Sequence, residues 1–599
     1  MIYHCEDHTC NYWDEGEKLP ERCPQCGRKL LRANEADMTG DDWTALGNTL
    51  WDAEASDKKR MVDCFRKAAY LGSAWGVCNL GICMEQGNGV EADPVQAFWL
   101  YQQAVEMGSL NAVCCLGVCY QYGIGTAPDA KQAAELYCKA AEYGSPRGQM
   151  LLAHAFHDGI GVEADAAEAV YWVRAAAYQR YGEGMHRLGV CYEYGDGVEQ
   201  NWERAVHWFR EAAESGVGVA MTDLGYCYEK GCGVEQSWEQ AFSWYRRGAE
   251  CGDPVSMCNL GLCYQMGYGV EQNWQEAIKW YEQGAQCGDL QSMHNLACCY
   301  EGGEGVEQNE DRAFYWYRRS AEGGNGSAMC NLGRCYKRGY GVEQNWQEAV
   351  KWYEQGAQCG NLQSMHNLAC CYEHGEGVEQ NMTEAIRWYT AAAEGGNADD
   401  MYELGWQYDH GEGVEQDMKK AICWYERAAE QNHPAAMNSL GECYAMGRGV
   451  PRDLETAMEW YRRAAELGEA MADYNMGWHL EQAGKLSEAY THYRKAADGN
   501  DDSAWWALGR FYENGVVVAQ DGKEARRCYE TGEKLGSVKC KMRLARCKLL
   551  GIGGRRAKKA GLDLCRQALE LAKESSEKED YGYEAEMNLL RRTIAENES

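Results

Sequence analysis

A Leu-Gly or Leu-Ala pair recurs every 36 residues through most of the chain. Its leucines are Leu80, Leu116, Leu152, Leu188, Leu224, Leu260, Leu296, Leu332, Leu368, Leu404 and Leu440. Met476-Gly477 continues the series, and the pair reappears off register at Leu46, Leu508 and Leu544. A fixed period of this length is typical of stacked units that cannot each bury an apolar face alone. The sequence therefore predicts a repeat array.

Apolar and small residues within one unit follow helical spacing. A first helix is indicated by residues at i, i+3, i+4 and i+7: Met257, Leu260, Gly261 and Tyr264. We expect the glycines that follow, Gly267 and Gly269, to end it in the left-handed conformation.

A second helix is expected to begin at Asn273, with Glu276 three residues later as in a capping box. Its apolar and small positions are Ala277, Trp280, Tyr281, Gly284 and Ala285. One unit is therefore predicted to be a helical hairpin.

The segment "LGLCYQMGYGVEQNWQEAIKWYEQGAQCG" resembles the Sel-like repeat, a branch of the tetratricopeptide superfamily. The shared pattern is L-G-x-x-Y, then G-x-G-V, then A-x-x-W-Y-x-x-A-A-x-x-G, and the likeness covers about residues 41–560. Departures are local: Ala153, Ala297 and Ala369 replace the first glycine, and the unit around Met476 has the short connection "EQAGKLSEA". The resemblance implies an all-α, right-handed α-solenoid with a concave inner groove, in a family made mostly of adaptors and scaffolds.

Three regions follow from this pattern. Residues 1–36 are expected to form a small metal-binding module resembling a zinc ribbon. Residues 37–560 are expected to form the solenoid, with about fourteen units of mostly 36 residues. Residues 561–599 are expected to be C-terminal helices that cap it, because their outer side is polar. Segments 274–309 and 346–381 differ at only three positions, which indicates a recent duplication of a 72-residue block.

Cysteine is common at one position of the repeat, the fourth residue of L-G-x-C-Y. It occurs there as Cys83, Cys119, Cys191, Cys227, Cys263, Cys299, Cys335, Cys371, Cys443 and Cys547. Other units carry Ala155, Gln407, His479 or Phe511 at this position, which a crosslink or a metal ligand would not allow. We therefore predict that these cysteines are free and act as small apolar core residues. A second set, Cys78, Cys114, Cys258 and Cys330, is expected in the groove and partly exposed.

The N-terminal segment contains the one clear metal-binding pattern. Cys5, Cys10, Cys23 and Cys26 have the spacing C-x4-C-x12-C-x2-C, which suits a tetrahedral four-sulfur site. We expect one structural Zn²⁺, whose binding would supply the folding energy that so short a segment lacks. The segment resembles a rubredoxin-like zinc ribbon with a widened first pair. His4 and His8 are alternative ligands, and the spacing leaves iron as an alternative metal.

Charge and hydropathy limit the partners and the location. The net charge is −33, which disfavours nucleic acid and anionic membranes as partners. The first ten residues, "MIYHCEDHTC", do not resemble a secretory signal, and no apolar run is long enough to span a membrane. A cytoplasmic location is therefore expected.

No phosphate-binding loop, nucleophile elbow, zinc-protease motif or dinucleotide fingerprint occurs, so no catalytic residue is assigned and we expect no enzyme. Asparagines recur just before the leucine of the repeat, as Asn79, Asn259, Asn295, Asn331 and Asn367. In peptide-binding tetratricopeptide relatives, an asparagine at the matching groove position holds the backbone of the ligand. Hydrogen bonds from these side chains to the neighbouring helix or to water are the alternative, which we weigh equally.

The V-E-Q connections repeat a glutamate that would line one edge: Glu199, Glu235, Glu271, Glu307, Glu343, Glu379 and Glu415. We favour a solvated edge over a docking site for a basic partner. The sequence thus favours a scaffold that binds a protein or peptide segment in its groove. The alternatives are a metal- or redox-responsive regulator, a host-interacting effector, or an enzyme-like role, since secreted cysteine-rich relatives have been linked to β-lactam binding or hydrolysis.

Overall fold

The computed structural model describes residues 2–5, 13–15, 30–33, 35, 38–51, 55–578 and 584–598. These residues form 31 helices and three short strands. The chain divides into two compact units, residues 1–309 and residues 310–599.

The first unit contains three strands and fifteen helices among its described residues. The strands are β1 (Ile2–Cys5), β2 (Trp13–Glu15) and β3 (Leu30–Ala33). The helices are α1 (Gly40–Thr49), α2 (Ala55–Tyr70), α3 (Ala74–Gln86), α4 (Pro94–Glu106), α5 (Leu110–Tyr122), α6 (Ala130–Glu142), α7 (Pro146–Asp158), α8 (Ala166–Tyr178), α9 (Gly182–Tyr194), α10 (Trp202–Glu214), α11 (Gly218–Lys230), α12 (Trp238–Glu250), α13 (Pro254–Met266), α14 (Trp274–Gln286) and α15 (Leu290–Gly302).

The described residues of the second unit are helical apart from their connections. The helices are α16 (Glu310–Glu322), α17 (Gly326–Arg338), α18 (Trp346–Gln358), α19 (Leu362–His374), α20 (Met382–Glu394), α21 (Ala398–His410), α22 (Met418–Glu430), α23 (Pro434–Met446), α24 (Leu454–Glu466), α25 (Ala470–Gln482), α26 (Leu486–Asp498), α27 (Asp502–Asn514), α28 (Gly522–Lys534), α29 (Val538–Leu550), α30 (Lys558–Lys578) and α31 (Glu584–Glu598).

Within each unit, consecutive helices pair as hairpins and the hairpins stack in chain order. Odd-numbered helices up to α29 are the first helices of the repeat, and even-numbered helices are the second. Each second helix also packs on the first helix of the next hairpin, for example α12 on α13 and α18 on α19. First helices of neighbouring hairpins contact each other directly, as α11 and α13 do, so they line one side of the stack. The predicted all-α, solenoid-like repeat fold is confirmed.

The ends of these helices follow from local sequence. The side-chain oxygen of Asn273 accepts hydrogen bonds from the amides of Gln275 at 3.1 Å and Glu276 at 3.2 Å, so Asn273 is the predicted N-cap of α14. Gly267 ends α13 with φ +76°. Gly269 has φ +68°, and a Cβ there would lie 2.2 Å from the carbonyl oxygen of Trp238 in the preceding hairpin. Only glycine meets both demands.

Close contact between the two helices of a hairpin explains the Leu-Gly pair. A Cβ on Gly261 would lie 2.6 Å from the ring of Tyr281, which is fully buried. The Tyr281 hydroxyl donates to the side-chain oxygen of Gln265 at 2.7 Å, and the same pattern recurs where Tyr245 donates to Glu229 at 2.8 Å. The glycine therefore makes room for an aromatic ring whose hydroxyl donates a hydrogen bond to the first helix.

The sequence analysis gave no role to the glutamine of V-E-Q, and the structure does. The Gln272 side-chain amide donates to the backbone carbonyl of Gln265 at 2.7 Å, seven residues earlier. Gln200, Gln236, Gln344, Gln380 and Gln520 make the same bond. This bond satisfies a carbonyl near the end of the first helix that has no partner within the helix. Its recurrence at a fixed position was the signal in the sequence.

The strands at the N-terminus form an antiparallel sheet in the order β2-β1-β3. His4 lies opposite Trp13 in β2, and Cys5 lies opposite Leu30 in β3. Of the four predicted metal ligands, Cys10, Cys23 and Cys26 lie outside the described residues, and only the backbone of Cys5 is described. At the other end of the chain, α30 pairs with α29, and α31 packs on both.

Candidate interaction surface

The cysteines of L-G-x-C-Y lie between the helices of the repeat. All ten are buried, and none forms a disulfide bond with a described residue. Burial in an apolar environment disfavours the thiolate and raises the pKa of Cys443 to about 11. The prediction that these thiols pack as small core residues is confirmed. Among the described residues, no cluster of three or more histidine, cysteine or acidic side chains could hold a metal ion.

The expectation that the second set of cysteines is partly exposed is wrong. The residues concerned, Cys78, Cys114, Cys258 and Cys330, are at most 6 % exposed. The reason is the next repeat, which covers them. Asn295 donates its side-chain N–H to Cys258 Sγ at 3.6 Å, and Asn367 does so to Cys330 Sγ at 3.3 Å.

Three of the five predicted binding asparagines therefore make hydrogen bonds to the preceding repeat. Asn79 donates to the side-chain oxygen of Asn48 at 2.8 Å, while Asn295 and Asn367 donate to cysteine sulfur as described. The other two, Asn259 and Asn331, are half-buried and make no side-chain hydrogen bond to any described residue. The same residue type thus has two different environments along the repeats.

Asn259 lies within an exposed apolar strip on α13. Val255, Asn259, Leu262 and Met266 lie at i, i+4, i+7 and i+11, so they share one face of this helix. Val255 is 47 %, Leu262 39 % and Met266 50 % exposed. We name these four residues the α13 strip. It combines three solvent-facing apolar side chains with an amide that has an unused donor and acceptor.

Two of the four matching positions on α11 are also apolar and exposed, whereas Lys230 stands at the position of Met266. Val219 is 50 % and Tyr226 is 44 % exposed, and each precedes its counterpart on α13 by one repeat. Between them lies Asp223, which accepts a hydrogen bond from His186 Nε2 at 2.7 Å. Because α11 and α13 contact each other, the apolar surface continues across two neighbouring repeats.

A hydrogen-bonded thiol pair connects first helices nearer the N-terminus. The Cys78 thiol donates to Cys115, and this hydrogen bond together with the charge of Arg147 outweighs the effect of burial and lowers the pKa of Cys115 to about 7. Arg147 Nη1 lies 3.6 Å from Cys115 Sγ and 2.8 Å from the Asn111 side-chain oxygen. Both cysteines are at most 5 % exposed. These contacts link α3, α5 and α7 and leave both sulfurs inaccessible.

The repeated glutamates of the V-E-Q connections are all exposed, namely Glu199, Glu235, Glu271, Glu307, Glu343, Glu379 and Glu415. They contribute to the strongly acidic character of the surface. None of the described helices has the length and apolarity that a membrane span requires.

Comparison with known proteins identifies the family of these repeats. A family model described as "Sel1 repeat" matches residues 76–109, 112–145, 146–181, 182–217, 218–253, 254–289, 290–325, 326–361, 362–397, 398–433, 434–469, 470–501 and 504–537. No curated protein matches the chain.

Among solved structures, a protective antigen of uropathogenic Escherichia coli strains, c5321, displays an SLR fold and is 32 % identical to this chain. The match covers 75 % of this chain and 97 % of c5321, with a TM-score of 0.50. A Sel1 repeat protein from Oxalobacter formigenes is 31 % identical, with 41 % of this chain and 99 % of that one covered and a TM-score of 0.39.

Proposed function

Because this chain belongs to the Sel1 repeat family, we propose that it is a non-enzymatic scaffold that binds a segment of a partner protein along its first helices. Repeats of this kind, like tetratricopeptide repeats, generally serve protein–protein interaction. The catalytic motifs sought in the sequence do not occur, which supports a binding role. The remaining question is which surface holds the partner.

The observation that supports a specific surface is the α13 strip. An extended segment presents alternating backbone N–H and C=O groups, and the free Asn259 amide can pair with one of each. Side chains of the segment would then cover Val255 and Leu262, removing apolar surface from water at about 25 cal/mol per Å². Asn331 has the same unpaired amide on α17 and is proposed to act in the same way in the second unit.

The experiment compares two asparagines that differ only in their partners. Asn259→Ala removes an amide that has no hydrogen bond to a described residue, so partner capture should fall while the melting temperature stays the same. Asn295→Ala removes the 3.6 Å bond to Cys258 Sγ, so this variant should melt at a lower temperature. Proteins captured by the wild type and by each variant are quantified by mass spectrometry. A partner retained equally by the Asn259→Ala, Asn331→Ala double variant would disprove the proposal.

A basic segment fits the surface charge best, because net charge and the exposed glutamates make the protein strongly acidic. Capture of such a partner should weaken as salt rises, since exposed charges are screened within about 10 Å at 0.1 M salt. Salt-independent capture would point to the apolar strip alone.

We propose further that the N-terminal segment is a structural zinc module. Antiparallel pairing sets the end of β1, at Cys5, beside the start of β3, at Leu30. The segment with Cys10 joins β1 to β2 at this end of the sheet, and Cys26 precedes Leu30 by four residues. Four thiolates are a donor set suited to Zn²⁺.

A further inference from the structure

A cysteine, a histidine and an aspartate form a connected group on the first helices of the second unit. His366 and Cys370 lie one turn apart on α19, with 3.6 Å between His366 Nε2 and Cys370 Sγ. His366 Nδ1 lies 2.8 Å from Asp400 Oδ1, which the next first helix, α21, supplies. The imidazole ring thus joins a thiol to a carboxylate.

The carboxylate and the thiol at the two ends of this group differ strongly in how deeply they are buried. The Asp400 side chain is fully buried, and its Oδ2 has no hydrogen-bond partner among the described residues. Cys370 is half-buried and so remains accessible from solvent. The hydrogen bond to Asp400, followed by that to Cys370, raises the pKa of His366 to about 10. Burial raises the pKa of Asp400 and outweighs the opposing effect of His366.

Two further polar groups surround the sulfur. The Tyr389 hydroxyl on α20 lies 3.4 Å from Cys370 Sγ and donates to Glu373 at 2.6 Å. Since the tyrosine proton is engaged by Glu373, His366 is the group that can hold a proton against the sulfur. A protonated imidazole stabilises negative charge on sulfur, and the thiolate is the nucleophilic form of cysteine.

We propose that Cys370 is a reactive thiol that exchanges with low-molecular-weight disulfides, with His366 and Asp400 as its positioning residues. The Cys370 thiolate attacks one sulfur of the disulfide, a new S–S bond forms, and the S–S bond of the reagent breaks. The departing thiolate takes the proton held by His366 and leaves as a thiol. Cys370 is oxidised to a mixed disulfide, and one half of the reagent is reduced.

Disulfide exchange fits this group better than acyl transfer. Acyl transfer develops charge on a carbonyl oxygen and needs donors aimed at that oxygen. Cys370 lies within α19, whose interior amides are engaged in the helix, and the nearby Tyr389 hydroxyl is engaged by Glu373. Attack on a disulfide requires an accessible sulfur nucleophile and a proton for the leaving thiol, and the half-buried Cys370 and the adjoining His366 can provide these.

The chain contains its own control. Residues 290–301 and 362–373 have the same sequence, "LQSMHNLACCYE", so Cys298 and His294 repeat Cys370 and His366. Cys298 Sγ lies 3.7 Å from His294 Nε2, and Cys298 is the more exposed of the two cysteines. The residue one 72-residue block before Asp400 is Ala328, so this copy has no corresponding carboxylate.

The test exposes the whole protein briefly to limiting oxidised glutathione and measures adducts by tandem mass spectrometry. The two peptides are distinguished by Gly302 and His374. Exposure alone predicts that Cys298 reacts faster. The proposal predicts that Cys370 reacts about tenfold faster, because its histidine is held by a hydrogen bond to a buried carboxylate. Equal rates, or faster reaction at Cys298, would overturn it.

Variants distinguish an effect of Asp400 on the reactivity of Cys370 from a change in the packing around it. Asp400→Asn should slow Cys370 about tenfold without affecting Cys298, because it removes a charge and retains a similar shape. Asp399→Asn removes the neighbouring charge, on a side chain 79 % exposed, and should change neither rate. Cys371, which is buried, must stay unmodified if packing is intact. An unchanged rate at Cys370 in Asp400→Asn, with Cys371 protected, refutes the role of Asp400. If Cys371 becomes modified, the packing of the variant has changed. The ratio of the Cys370 and Cys298 reaction rates in the wild-type protein is then the test of the proposal.

Discussion

Replacing Gly261 with alanine tests the packing that defines the repeat. The new Cβ would lie 2.6 Å and 2.7 Å from two ring carbons of Tyr281, closer than real Cβ contacts. Overpacking of this kind typically costs about 1–3 kcal/mol. The higher helix propensity of alanine relative to glycine offsets about 0.8–1 kcal/mol of that cost. The two figures leave a net loss of about 0–2 kcal/mol, and because alanine is accommodated at the equivalent position as Ala369, we expect no more than about 1 kcal/mol.

Another repeat of the same chain suggests a double variant in which one substitution should compensate for the other. At the equivalent positions of another repeat, Ala153 and Val173 lie in one buried cluster in place of glycine and tyrosine. Tyr281→Val alone should cost about 2–4 kcal/mol because it leaves a cavity. The double variant Gly261→Ala, Tyr281→Val should be more stable than the sum of the single changes by about 1 kcal/mol, since residues in contact couple.

The assay is native-state hydrogen exchange on peptides from α13 and α14, because a long repeat array does not unfold as one two-state transition. A loss of about 1 kcal/mol speeds exchange roughly fivefold in these peptides. Peptides from α23 and α24, several repeats away, should not change. A double variant no better than the sum would refute the explanation of the Leu-Gly pair.

Three further predictions follow from other contacts. Gln272→Ala should reduce protection at the end of α13 by about 0.5–1 kcal/mol, since it removes the 2.7 Å bond to the Gln265 carbonyl, and hydrogen exchange measures this. Burial raises the pKa of Asp501 from 3.8 to about 6, so its charged form is disfavoured in the folded state and stability should fall as pH rises from about 4 to 6. Asp501→Asn should abolish that fall and stabilise the protein at pH 7 by at most about 3 kcal/mol, measured by hydrogen exchange of α27 peptides across this pH range, and an identical pH profile would contradict this. The protein should contain about one zinc per chain by elemental analysis and lose it in Cys23→Ser with Cys26→Ser; unchanged zinc would exclude this site.

The sequence predicted the fold because the repeat encodes it redundantly. Helical spacing, the N-cap at Asn273 and the glycines after α13 each indicate the same hairpin, and all are confirmed. Burial of the L-G-x-C-Y cysteines could be predicted because other residue types replace cysteine there. The role of Gln272 was missed, since a polar residue in a connection gives no periodic apolar signal.

The interaction surface was harder to predict because contacts between repeats decide it. Asn259 and Asn295 occupy the same position of the repeat, yet only Asn295 donates to a cysteine of the preceding one. The expected exposure of Cys258 was wrong for the same reason, since the neighbouring asparagine lies against it. Local sequence specifies which helix face a residue occupies, whereas the next repeat determines whether the side chain is free.

In the duplicated segment, a neighbouring repeat could determine the reactivity of a thiol as well as its exposure. Twelve identical residues place a cysteine one turn after a histidine in both copies, so local structure alone would give both thiols the same reactivity. At the copy with Cys370, a buried aspartate from the following first helix lies on the far side of the histidine, and the sequence of the other copy has Ala328 at the matching position. If the two thiols differ in rate as expected, the cause must lie in that neighbouring helix. Divergence of a repeat outside the duplicated residues would then be sufficient to turn one of two identical packing motifs into a reactive site.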